Sequence, residues 1–73
     1  MRLNVVREGN GLSVKWNAEG AFKLEVTDLR GRVLFQRENV RGGATVSAAK
    51  LPKGLNFIRV SGAGEHVVKP VLF

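Results

Sequence analysis

The chain contains no cysteine and no tyrosine, and it has one tryptophan, one histidine, one aspartate and two prolines. Without cysteine, no disulfide can staple the fold and no thiolate metal site can form. His66 and Asp28, each the sole residue of its type, are too little material for a metal cage or a catalytic dyad. His66 follows Glu65, but successive residues of a strand point to opposite faces, so the two do not pair for catalysis. Ser13, Ser47 and Ser61 stand in no nucleophile elbow. Gly9-Asn10-Gly11 and Gly62-Ala63-Gly64 precede neither a helix nor a Lys-Ser pair, so they read as hairpin turns and not as phosphate loops. These scarcities point away from an enzyme, and nothing in the sequence asks for a cofactor.

Long apolar runs are also lacking. None approaches the roughly 18 residues of a membrane span, which argues against membrane insertion. Met1 to Arg7 holds no apolar region of signal-peptide length. Either the protein stays inside the cell or its targeting segment lies elsewhere. At 73 residues the chain is expected to form one domain, 1–73, with a folded surface of about 4,500 Å². A domain so small is marginally stable, and it can spare few apolar residues from its core.

Acidic residues are few as well, six against twelve Lys and Arg, for a net charge of +6. That balance favours acidic partners. Arg30, Arg32, Arg37, Arg41, Lys50 and Lys53 crowd the middle of the chain and could make a basic track. Binding single-stranded nucleic acid would further need exposed aromatics for base stacking. Trp16 and Phe22 instead fall on the apolar side of alternating segments, so nucleic acid is not the expected partner. Glycan binding meets the same objection, because Trp16 is the residue that would have to stack on a sugar.

What the sequence does contain is period-two alternation. Leu12, Val14 and Trp16 alternate with Ser13, Lys15 and Asn17, and Phe22, Leu24 and Val26 with Lys23, Glu25 and Thr27. No segment has the 3.6-residue repeat of an amphipathic helix, and Ala48-Ala49-Lys50 is cut off at once by Leu51-Pro52. Turns are expected at Glu8 to Gly11, with Asn10-Gly11 as a type I′ pair, and at Asp28 to Arg32. Others fall at Arg41 to Gly43, Leu51 to Gly54 and Ser61 to Glu65. Seven strands follow, at 2–7, 11–17, 21–28, 32–38, 43–48, 55–61 and 65–72. The expected fold is all-β, a seven-stranded antiparallel immunoglobulin-like β-sandwich, with a small closed barrel as the alternative.

Two strands break the alternation. Val33-Leu34-Phe35 and Phe57-Ile58 are apolar on both faces, as expected of central strands covered on two sides. The last strand, His66 to Phe73, also carries apolar residues of both parities, and Pro70 marks it as an edge or as the end of pairing. Such a tail is either a docking surface or a route to self-association through an edge strand.

Three segments in this order resemble a known family. Phe22 to Leu34 is similar to its strand–D-x-x-G-[KR]–strand hairpin, and Leu51 to Val60 to its L-x-x-G-x-Y-x-x-[KR]-V strand. Gly64 to Val71 is similar to its closing G-x-x-V-x-K-K-[IV] strand. The family is the type A C-terminal sorting domain of cargo secreted by the type IX (Por) system, and the likeness covers about residues 20–73. Asn56 stands where the family has Tyr, Pro70 replaces the second Lys, and the Pro-Asn-Pro opening is missing, which marks a divergent member. The resemblance implies a sandwich excised from a larger secreted protein that reaches the cell surface or exterior through the periplasm. It also implies recognition by an outer-membrane translocon or shuttle protein and, in some members, clipping by a sortase-like protease.

With the apolar tail, this makes Asp28, Gly31, Arg32, Gly54, Arg59, Val67, Val68, Lys69, Val71 and Phe73 the candidate recognition residues. Strand addition at the last strand is the expected mode. Asp28 has a second expected role, accepting N–H bonds across its turn, and Gly31 and Gly54 are expected to serve backbone geometry first. The alternative function is an accessory immunoglobulin-like spacer or carbohydrate-binding module of an extracellular enzyme.

Overall fold

Seven antiparallel strands form where the alternation places them. In the computed structural model, which describes residues 1–47, 49, 51 and 53–72, they are β1 (Leu3–Glu8), β2 (Gly11–Trp16), β3 (Phe22–Thr27), β4 (Val33–Val40), β5 (Gly43–Ser47), β6 (Leu55–Gly62) and β7 (Glu65–Leu72). The expectations for Lys50, Pro52 and Phe73, and for the end of the fifth strand at Ala48, lie outside the described residues. The strands divide into a three-stranded sheet, β1-β2-β5, and a four-stranded sheet, β4-β3-β6-β7. This is the immunoglobulin-like sandwich, with β4 paired to β3 in the four-stranded sheet. The accessible surface is 4754 Å², close to the expectation from chain length.

The core is what the two alternating segments promise. Leu3, Leu12, Val14, Trp16 and Val46 face inward from one sheet, and Phe22, Leu24, Val26, Val40, Ile58 and Val60 from the other. Leu51, in the connection between β5 and β6, closes one end. The Trp16 and Phe22 rings meet at 6.0 Å between centroids and 59° between planes, tying the sheets together at the opposite end.

Two local expectations need correction. The β1–β2 hairpin turns on Gly9-Asn10 and not on Asn10-Gly11, because Glu8 pairs with Gly11. Only Gly9 has positive φ, at 52°, which is the pattern of a type II′ turn with Gly first. The turn with positive φ at both centres is Ala63-Gly64, between β6 and β7, at 51° and 78°.

The second correction concerns the two-faced strands. β4 is an edge strand, not a central one, and β6 is central but open on its outer side. Among the described residues there are two layers only, and none of their strands covers the outside of the four-stranded sheet. Register shifts flank the middle of the β3–β4 pairing and re-aim its side chains. Phe35, opposite Val26, packs on the core margin with Arg37 5.5 Å above its ring, while Val33 stays exposed. Of the apolar residues that break the alternation, Ile58 is core, Leu34 and Phe35 pack on its margin, Phe57 is half-buried, and Val33 is surface.

Candidate functional site

Cross-strand partners in an antiparallel sheet share a face, so the register shows which candidate residues come together. Thr27 pairs with Phe57, Phe57 with Pro70, and Leu55 with Leu72. The end of β3, the start of β6 and the end of β7 thus meet at one end of the sandwich. The β3–β4 turn and the approach to β6 enclose a cleft of about 420 Å³ there, lined by Asp28, Leu29, Arg30, Arg32, Lys53, Gly54, Leu55 and Asn56.

The turn is built around one carboxylate. Asp28 Oδ1 accepts hydrogen bonds from the backbone N–H of Arg30 and of Arg32, both at 2.9 Å. The Asp28 Oδ2 atom lies 3.2 Å from Arg32 Nε. In the backbone, Gly31 N–H donates to the Asp28 carbonyl at 3.1 Å and Asp28 N–H to the Arg32 carbonyl at 3.0 Å. Gly31 takes φ +84° and Gly54 φ +111°, a region that side-chain-bearing residues avoid, so both glycines serve backbone geometry. Asp28 likewise plays its expected part as acceptor across the turn, and its oxygens are occupied in doing so.

The Arg32 N–H bond is the main reason the Asp28 carboxyl is held below its ordinary value of 3.8; partial burial opposes this, and the Arg30 N–H bond and the Arg32 charge reinforce it. A carboxylate whose pKa is lowered by folding adds stability that is complete above the unfolded value and is lost as pH falls through the folded one. Urea midpoints measured from about pH 5 down to about pH 2 should therefore fall more steeply for the parent than for Asp28→Asn, with the extra slope below about pH 4. Parallel curves for the two proteins would show that the turn does not depend on the charge.

The remaining candidates separate. Arg59 and Val68 are paired on the outer face beside Glu25, whereas Lys69 is opposite the buried Ile58 on the inner face. Arg59 and Lys69 therefore do not form one charged surface. Val67 and Val71 are half-buried against the core margin, and Val68 is 50% exposed. Phe73 lies outside the described residues. β7 is an edge strand, but Pro70 lacks a donor and the exposed Lys69 puts a charge at an inner-face position, two features that blunt an edge against further strands. The more open surface is the outer face of the sheet.

The basic track also divides. Arg30, Arg32 and Lys53 share the cleft, Arg37 lies over Phe35, and Arg41 sits beyond β4 at the other end of the sandwich. Leu29 and Leu55, the leucines at the cleft, were not among the expected recognition residues, whereas their neighbour Leu72 belongs to the apolar last strand expected to dock. The available signal was Leu29, an apolar residue at the tip of a charged turn. Asn56, 1% exposed, is the buried polar residue of the inner face; its Nδ2 donates to the Gly54 carbonyl at 3.4 Å. Among the described residues no three His, Cys, Asp or Glu side chains gather as a metal site would need. Compared with protein-family models and with curated proteins, the chain matches none.

Proposed function

We propose that this domain is a sorting module that directs an attached cargo protein across an outer membrane by the type IX pathway, recognised as a folded sandwich and not through any reaction. The observation that carries the reading is spatial. Of the three segments that resemble the sorting family, the first lies well before the other two in the chain, yet together they supply β3 with the start of β4, β6, and β7, which are adjacent strands of one sheet. The resemblance therefore describes one continuous surface, the outer face that carries Arg59, Val68 and Leu72 and ends at the Asp28 turn. A translocon or shuttle protein docking on that face needs no catalytic residue of the domain. The carbohydrate-module alternative loses its stacking residue, because Trp16 is only 6% exposed.

The test fuses the domain to the C-terminus of a signal-bearing fluorescent protein in a bacterium that runs this pathway. Deleting β7 is a poor control, since Val67 and Val71 pack against the core and the truncated domain would unfold. Val68→Gln with Leu72→Gln alters side chains that are 50% and 73% exposed and leaves the core intact. The expected result is fluorescence outside the cell for the parent fusion and periplasmic retention for the double variant, with both folded. A parent fusion that stays in the periplasm would end the sorting reading.

A further inference from the structure

The cleft between the Asp28 turn and the start of β6 combines two chemistries. Three cations line it, Arg30, Arg32 and Lys53. Among the described residues neither Arg30 nor Lys53 makes an ion pair. The Arg32 side chain is 76% exposed and uses Nε on Asp28, a contact that leaves its terminal nitrogens for a further partner. Asp28 is the acid of the cleft, and its two oxygens are already bonded. Beside these charges lies an apolar ledge. Leu55 is 37% exposed and pairs across strands with Leu72, 73% exposed, and Leu29 at the turn tip is 67% exposed.

A folded domain with a marginal core leaves three leucines in water at one place at some expense, and here they adjoin Arg30 and Lys53, which make no ion pair among the described residues. We infer that the cleft is a docking site for an extended peptide segment in which Asp or Glu alternates with large aliphatic residues. Its carboxylates meet Arg30, Arg32 and Lys53, and its aliphatic side chains cover Leu29, Leu55 and Leu72. Arginine's planar fork matches a carboxylate with two parallel hydrogen bonds, and the Asp28 contact holds Arg32 ready for this. In an extended peptide successive side chains point to opposite sides, so each carboxylate can meet a cation while its neighbours lie on the ledge. Charge complementarity chooses the acidic partner. The ledge chooses a peptide over nucleic acid, because the residues of the cleft offer leucines and no aromatic on which a base could stack. The inference concerns surface chemistry alone and stands whether or not the domain is exported.

The experiment follows backbone amide shifts of the whole chain during titration with the hexapeptide Asp-Leu-Asp-Leu-Asp-Leu, its ends blocked. Parallel titrations use the Asn-for-Asp hexapeptide and a short oligothymidylate. Arg30→Glu with Lys53→Glu is compared with Arg2→Glu with Arg41→Glu, which makes the same charge change at the other end of the sandwich, and circular dichroism confirms that both fold. The expected result is a set of shifts confined to residues 28–32, 53–56 and 72, with affinity about tenfold or more weaker in the cleft variant and little changed in the other. Equal weakening by both variants would show that binding follows net charge, and would overturn the proposal. So would equal binding of the Asn peptide, tighter binding of the oligothymidylate at the same residues, or no shifts with the acidic peptide.

Discussion

Ile58→Ala is expected to lower the urea midpoint by about 2 M or more, with an unchanged slope, and to leave the domain close to its unfolding threshold. Ile58 has no solvent-exposed surface and sits in the central strand β6, paired with Val26 on one side and Lys69 on the other. Deleting three buried carbons there leaves a cavity that the flanking strands cannot close, which costs about 2–5 kcal/mol. A single domain of this length holds about 4–11 kcal/mol in total at the usual stability per residue. With a urea slope near 1 kcal/mol per molar for so small a protein, the shift is read directly from a melt. Trp16 fluorescence reports it, because the indole is buried in the folded state. Val68→Ala, half-exposed on the outer face, is the internal comparison and should stay within about 0.5 kcal/mol of the parent. Equal midpoints for the two variants would contradict the two-layer core.

Trp16→Ala should destabilise the domain by about 3–5 kcal/mol, while Trp16→Phe should retain most of the stability. The ring packs against Phe22 and bridges the two sheets. Removing it opens the end of the sandwich where Leu3 pairs with Trp16. The indole Nε1–H is buried and has no hydrogen-bond partner among the described residues. Phenylalanine loses part of the packing but also removes that unsatisfied donor, whose burial costs about 1–3 kcal/mol. Thermal melts by circular dichroism separate the two substitutions. A Trp16→Phe variant as unstable as Trp16→Ala would mean that the N–H finds a partner and contributes to the fold. Either way, Trp16 cannot serve as a binding probe, because its loss is read first as a loss of folding.

Some of this was legible in the sequence for a local reason. In β2 and β3 the side chains alternate between a buried and a wet face, so Leu12-Val14-Trp16 and Phe22-Leu24-Val26 declare both the strand and its inner side. The Asp28 turn is local too: the carboxylate bonds N–H groups two and four residues onward, within reach of its own side chain. Gly31 follows from the same turn, because the chain reverses there through positive φ.

Other features could not be read this way. Val33-Leu34-Phe35 resembles a strand buried on two faces, but whether a third layer exists depends on what the rest of the chain can supply, and the described residues make only two sheets. The position of Asn10 in its turn depends on the pairing of Glu8 with Gly11, a matter of register and not of the favoured dipeptide. The candidate site is the clearest case. Asp28, Gly31 and Arg32 were visible as a turn and Gly54 as another, and the last strand stood out by its apolar tail. Their meeting at one cleft required β3, β6 and β7 to be neighbours in one sheet, which comes from long-range pairing. Seven strands, the face each clean strand buries and the turn held by Asp28 follow from local pattern, since these rest on contacts within a few residues. That Arg30, Arg32 and Lys53 stand together beside Leu29, Leu55 and Leu72 is a product of long-range pairing, because strand order brings residues some twenty to forty positions apart to the same edge of the core.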